Sequence, residues 1–452
     1  MLKKKAQTVS SLPILVFIIC LTPFLVAFHS NFQYSLALLG ILIVFVIAFV
    51  KINVALIILI LSMLLSPEFE AGGVLGRSVV IRIEDVLLLV VFLGWMARMA
   101  VTKEAGLFRK TPLNLPIGLY AFFCLVATGF KMIEIGNLSL MQSSFFYLLK
   151  YFEYYLLFFM VVNNLQTLKQ AKLFVFFILL TCFFVSLYGA SLIPSGERLT
   201  APFEGKEGGE PNTFAAYLLL MMALILGLFL YSRSIRQRFL LLCLLAVAAV
   251  VFLLTLSRGG WLGAFPMILT FIFLNKRYRH VLIIVFMLFL ISMPYLLPQK
   301  VLNRYQDIFS HEKTYNLLGK KYSFSESTAN RIDGWRRGAN EWAKKPFFGW
   351  GVPLGNVIDN QYTRVLLETG FFGLMAYLWL LMAIFKVCWR SFASTEDSFA
   401  KGVSLGVIAG FMGLLTNALA AATFILIRVM EPFWFLVAIV VVLPDLLAQE
   451  QA

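Results

Sequence analysis

The feature that most constrains this chain is a succession of apolar runs, each near the ~20 residues needed to cross a bilayer core. They fall at 12–28, 33–50, 52–66, 84–100, 113–130, 145–162, 172–190, 212–231, 239–256, 260–274, 281–297, 367–385, 402–424 and 429–447. The connections are short except for one, 298–366. A soluble protein carries about 25% charged residues; this chain has 13%, against 61% apolar. Three soluble domains or a disordered chain are thereby excluded. The expected fold class is all-α, a polytopic membrane protein of about 14 transmembrane helices. One large, partly helical loop lies outside the membrane.

Orientation follows from the basic residues of the short connections. With the N-terminus inside, nineteen Lys and Arg face the cytoplasm and seven face outward. Lys3, Lys4 and Lys5 precede the first run, as in a signal peptide, but Phe24 to His29 offers no small-residue cleavage site, so a retained helix is expected. Both termini are then cytoplasmic. The chain divides into 1–297 with about 11 helices, an extracytoplasmic catalytic loop 298–366, and 367–452 with about three helices. The net charge is +15. In this setting it anchors loops, and no nucleic acid partner is expected. Cys20, Cys124, Cys182, Cys243 and Cys388 show no paired spacing, hence no disulfide framework or zinc site.

The long loop carries eleven Lys and Arg against six Asp and Glu. Either it is a solvated loop that crossed regardless of charge, or it meets an anionic ligand. Within it, Ser327 or Thr328 can cap a helix starting near Ala329. Ile332, Trp335, Ala339 and Trp342 form an apolar stripe, and Pro346 stops the helix. Arg331 stands in the first turn, where a cation is unfavourable unless an anion joins it. It is a phosphate ligand or a solvated charge. Arg336 and Arg337 follow on the same helix. Next comes Pro346-Phe347-Phe348-Gly349-Trp350-Gly351, then Gly355, an interfacial aromatic cluster with glycines that permit tight turns.

Thr255-Leu256-Ser257-Arg258-Gly259-Gly260-Trp261 joins two spans with almost no loop. Arg258 is either a snorkelling anchor or an anion ligand at the depth of a lipid phosphate. Asp359-Asn360-Gln361-Tyr362-Thr363-Arg364, with Leu366, Glu368 and Gly370, returns the chain to the membrane. Asp359 is a general base, a helix N-cap, or both, with Arg364 beside it to orient it. The stretch from Arg198 to Asn212 contains Gly205, Gly208 and Gly209 and reads as an outer loop. Arg198, Asn212, Arg336, Arg337, Asn360, Tyr362 and Arg364 are the substrate-binding candidates. Glu84, Asp85, Lys150, Glu153, Glu368 and Glu431 lie in or beside spans and read as structural. No Asp-x-Asp, P-loop or His-Glu-x-x-His occurs, and His29, His280 and His311 are scattered. A metal-dependent nucleotide-sugar transferase, an ATPase and a zinc protease are unsupported.

Taken together, Ser257-Arg258-Gly259-Gly260, the Arg331 helix ending in Pro346…Gly349-x-Gly351, and Asp359-Asn360-x-Tyr362 with Glu368-x-Gly370 resemble the O-antigen polymerase and ligase superfamily. The resemblance is clearest over about 196–385. It implies a GT-C-like, inverting, metal-independent glycosyltransferase with no cofactor, in the cytoplasmic (inner) membrane of a bacterium, with its active site outside. It implies an undecaprenyl-diphosphate-linked glycan as donor and a lipid-linked acceptor. A flippase and a chain-length regulator are implied partners. Arg258 and Arg331 become the ligands of the donor diphosphate, and Asp359 the base. Ligases usually have His where this chain has Asp359; in that respect the chain is similar to the Wzy-type polymerases. A lipid-linked oligosaccharide flippase would need charges in a central cavity, and few charges here lie mid-span.

Overall fold

A computed structural model describes residues 32–74, 77–102, 109–136, 138–203, 210–296, 313–317, 320–324, 326–353 and 359–451. Twelve of the fourteen apolar runs coincide with helices; the run 402–424 leaves its helix at Asn417 for a turn, and the first, 12–28, lies outside the described residues. Among the described residues, nine helices are long and apolar enough to cross a membrane, and four apolar helices are shorter. The chain is a multi-pass helical membrane protein. Among the described residues, the strands form two antiparallel hairpins between helices.

The chain divides into two compact units. The first spans Met1–Leu59 and Glu84–Leu107. It holds α1 (Phe32–Val50), most of α2 (Ile52–Leu65) and α3 (Ile83–Thr102). Glu84 and Asp85 in the first turn of α3 oppose the positive end of the helix dipole. Gly94 lets α3 close on α1: a Cβ there would lie 2.7 Å from Ala48 Cβ.

The second unit spans Ile60–Ile83 and Phe108–Ala452. It opens with the hairpin β1 (Glu68–Val74) and β2 (Arg77–Arg82), which is bulged between Glu70 and Gly73. Then come α4 (Asn114–Ile135), α5 (Leu138–Asn164), α6 (Leu168–Ser191), α7 (Pro211–Tyr231), α8 (Ile235–Leu254), α9 (Arg258–Leu274) and α10 (Arg279–Leu296). In the long connection lie β3 (Lys313–Leu317), β4 (Lys320–Phe324) and α11 (Glu326–Trp342). α12 (Gln361–Ser394), α13 (Ser398–Asn417) and α14 (Ile427–Gln451) close the chain.

Burial ranks these helices. The apolar stretches of α14, α7 and α13 are 83%, 78% and 72% buried, that of α8 only 17%. The first three form the core and α8 faces outward. In lipid, apolar residues gain little by leaving the tails, so close packing must hold helices together. Glycine supplies it. A Cβ on Gly406 of α13 would meet Leu224 Cα of α7 at 2.8 Å, and one on Gly263 of α9 would meet Gly413 O of α13 at 2.6 Å. On the other side of the core, Trp434 of α14 packs edge-on against Tyr155 and Phe158 of α5.

Candidate functional site

The site begins where α8 turns into α9. Leu256 takes a left-handed φ of 53°, rare for a residue with a Cβ. Ser257 then caps α9, its hydroxyl oxygen accepting from Gly260 N at 3.3 Å. The same hydroxyl donates to Asn212 Oδ1 at 2.9 Å, tying the start of α7 to the start of α9. Arg198 donates from Nε to Thr255 O at 3.0 Å and from a terminal nitrogen to Leu256 O at 3.4 Å. A cation at the end of α8 suits the negative pole of that helix. Arg258 is the first residue of α9 and is half-buried.

The start of α12 comes to the same place from a hundred residues further along. Asn360 caps it, Oδ1 accepting from Thr363 N at 2.9 Å. Its Nδ2 donates to Leu419 O at 3.0 Å, and Gln361 N donates to Ala418 O at 2.9 Å. α9 rests on the same short turn: a Cβ on Gly259 would lie 2.7 Å from Asn417 Oδ1 and 3.0 Å from Ala420 Cβ. Residues 417–420 therefore seat both helix starts, one beginning with Arg258 and the other preceded by Asp359. Two positive helix poles converge there.

Beneath that junction α12 is broken. Gly370 has φ 69° and ψ −168° inside an otherwise continuous helix. The break disturbs the i→i−4 ladder, and the Pro346–Gly351 loop completes it. Pro346 O accepts from Phe371 N at 2.8 Å and Phe347 O from Phe372 N at 3.4 Å. In the other direction, Trp350 N donates to Leu367 O at 2.7 Å and Gly351 N to Glu368 O at 2.8 Å. Gly349, at φ 69°, is needed because a Cβ would lie 2.6 Å from Gly370 N. α11 is fastened to this loop by two indoles. Trp342 Nε1 donates to Pro346 O at 3.0 Å, and Trp350 Nε1 donates to Glu341 O at 3.1 Å. The loop also docks on α4, where Lys345 pairs with Glu134, Lys131 donates to Pro353 O, and Val352 N donates to Thr128 Oγ1.

Several expectations change on this geometry. Arg364 does not orient Asp359. It is 4% exposed and its Nε donates to Glu368 Oε1 at 3.0 Å, because the carboxylate one turn on lets the guanidinium be buried. Asp359 is not the cap; that position belongs to Asn360, and Asp359 is exposed. α12 starts at Gln361, well before the apolar run at 367. α11 starts at Glu326, so Ser327 and Thr328 fall inside its first turn. Its apolar stripe is only partly covered: Trp335 is 43% exposed and Ala339 exposed, while Ala329 and Gly338 are buried. Periodicity identifies an apolar side, not what covers it. Tyr362 donates to Leu415 O at 2.9 Å. Arg336 and Arg337 are exposed on α11. Arg331 lies on that helix, with its side chain outside the described residues, as are Gly205, Gly208, Gly209, His29, His311 and Gly355.

Arg428, the second residue of α14, is 2% exposed and donates to Pro202 O at 2.6 Å and Phe203 O at 3.1 Å, tying the start of that helix to the connection before α7. The signal for it is a lone charge at the edge of an apolar run.

The stretch from α8 to beyond the kink of α12 holds Ser257, Arg258, α11, the Pro346–Gly351 loop, Asn360, Glu368 and Gly370. Residues 243–378 match the O-antigen ligase family. The match supports the O-antigen polymerase and ligase superfamily expected from the motifs, and it does not separate the two branches. No curated protein matches the chain. The matched residues contain both helix starts seated on 417–420, and the turn itself lies beyond them.

Proposed function

We propose that this protein is a polysaccharide polymerase of the bacterial inner membrane. It transfers a growing glycan from an undecaprenyl diphosphate to a hydroxyl of a newly arrived lipid-linked repeat unit, at the outer membrane face. The observation that carries this reading is the convergence of the Arg258 and Asp359–Asn360 helix starts on one turn, 417–420. An inverting transfer needs cationic groups where the diphosphate leaves and a base on the opposite side of the anomeric carbon. The acceptor oxygen attacks that carbon, the bond to the diphosphate breaks, and its electrons pass to the diphosphate oxygen. Arg258 and Arg331, with the N-terminal pole of α9, meet the charge that develops there. Asp359, exposed at the tip of α12, accepts the hydroxyl proton as the bond breaks. Divalent metal has no role in this scheme. A flippase would deliver the repeat unit, and a chain-length regulator would set the product size.

The purified protein, given lipid-diphosphate-linked repeat units, should build a ladder of polymer that EDTA leaves unchanged. Asp359→Asn keeps size and polarity, and should bind donor yet lose most polymerisation; a wild-type rate would remove Asp359 from the chemistry. Reporter fusions at Lys276 and Lys320 should report cytoplasm and exterior, and the same side for both would overturn the orientation. The family match is equally compatible with a second reading, a ligase that moves the glycan to another acceptor. That activity would show as a single transfer to an added acceptor, with no ladder.

A further inference from the structure

Below the tip of α12, three polar side chains meet inside the bundle. Glu368 is 1% exposed. Its Oε1 accepts from Arg364 Nε at 3.0 Å, and its Oε2 accepts from the Tyr151 hydroxyl of α5 at 2.9 Å. Burying such a group is a poor way to gain stability, since an apolar set of similar volume commonly does as well. Its place in the fold points elsewhere. The break at Gly370 makes 361–369 a short helical stub, released from the ladder of the long segment behind it. The stub must be held by outside contacts. At its tip, Asn360 and Gln361 bond to Leu419 O and Ala418 O, and Tyr362 bonds to Leu415 O of α13. At its foot, the 346–351 loop bonds to the carbonyls of Leu367 and Glu368. A side-chain tie to α5 runs from Glu368 to Tyr151, and Arg364 fastens the same carboxylate to the stub one turn higher.

We propose that Tyr151, Glu368 and Arg364 form a positioning network that sets the direction of the stub, and with it the placement of Asp359 relative to Arg258. This rests on the polymerase reading for its consequence in turnover. Both carboxylate oxygens of Glu368 accept from protein donors, so Glu368 positions and does not act as the base. Arg364 works through Glu368 and does not touch substrate. A misplacement of about 1 Å at a reacting group can lower turnover about 100-fold.

The test uses the full chain with lipid-diphosphate-linked repeat units. The combined variant Tyr151→Phe, Arg364→Met, Glu368→Leu removes every charge together. It should insert, unfold no more easily than wild type, keep donor KM within about threefold and lose at least about tenfold in kcat. Wild-type kcat in this variant overturns the proposal. Where the combined variant fails to fold, Tyr151→Phe alone decides: kcat should fall several-fold at unchanged donor KM, and an unchanged kcat overturns it. A readout independent of turnover is cross-linking between Asp359→Cys and Leu419→Cys. The cross-linked fraction should fall at least threefold when Tyr151→Phe is added, and an unchanged fraction refutes the network. A reduced cross-link in a protein whose wild type makes no polymer would leave the positioning network standing and remove the polymerase reading instead.

Discussion

Ser257 and Asn360 start their helices alike. Each side chain accepts from the N–H three residues on, at 3.3 and 2.9 Å, and each helix start rests on 417–420. The arginines that follow have opposite fates. Arg258 is the first residue of α9 and stays half-buried at the end of the bundle; the positions three and four residues on are Trp261 and Leu262. Arg364 lies a turn into α12 with Glu368 four residues on, and it is buried. A carboxylate at i+4 lets a guanidinium go inside. Arg258, with an apolar next turn, is half-buried. The proposal gives Arg258 to the ligand, and the fold buries Arg364, a substrate-binding candidate from sequence, against Glu368.

The contrast can be broken first at Arg364. Arg364→Ala strands a buried carboxylate and should destabilise by about 3–5 kcal/mol, visible as a large drop in the thermal midpoint in detergent. Arg258→Ala should leave that midpoint near wild type and lower turnover about 10²–10³-fold, the loss typical of one preorganised donor. Arg258→Lys should recover little, since an ammonium cannot make the bidentate contact. If Arg258→Ala unfolds the protein and Arg364→Ala merely slows it, the two assignments are reversed. Smaller is Gly370→Ala, which forces a side chain into positive φ against Phe348 N at 2.5 Å. It should cost at least about 1–3 kcal/mol and loosen the 346–351 loop, measurable as faster proteolysis there. The smallest effects belong to the caps. Ser257→Ala and Asn360→Ala should each cost about 0.5–2 kcal/mol in unfolding assays, since each cap also makes a second bond, to Asn212 Oδ1 and to Leu419 O.

The Pro346–Gly351 run shows what sequence reading reaches. From sequence it is an aromatic, glycine-containing turn at the interface. In the fold each glycine answers to a partner far along the chain: Gly349 to the backbone at Gly370, and Gly351 to Lys131 and Ala127 of α4. Nothing local in either segment names the other. Arg428 makes the same point: only the fold shows that its guanidinium donates to the carbonyls of Pro202 and Phe203, more than two hundred residues earlier in the chain.

What the sequence determined by itself is the frame: the helices that match the apolar runs, the single long connection, and the motifs at Ser257–Gly260 and Asp359–Gly370. These follow from local terms, because hydropathy, capping and glycine act within a turn or two of the residue that carries them. What only the tertiary structure decided is which charges meet. The approach of α9 and α12 to 417–420, the completion of a broken helix by a loop, and the burial of Arg364 with Glu368 and Tyr151 depend on contacts between residues far apart in the chain. A guanidinium reads the same in sequence whether it binds a phosphate or a buried carboxylate, and only its surroundings in three dimensions set which.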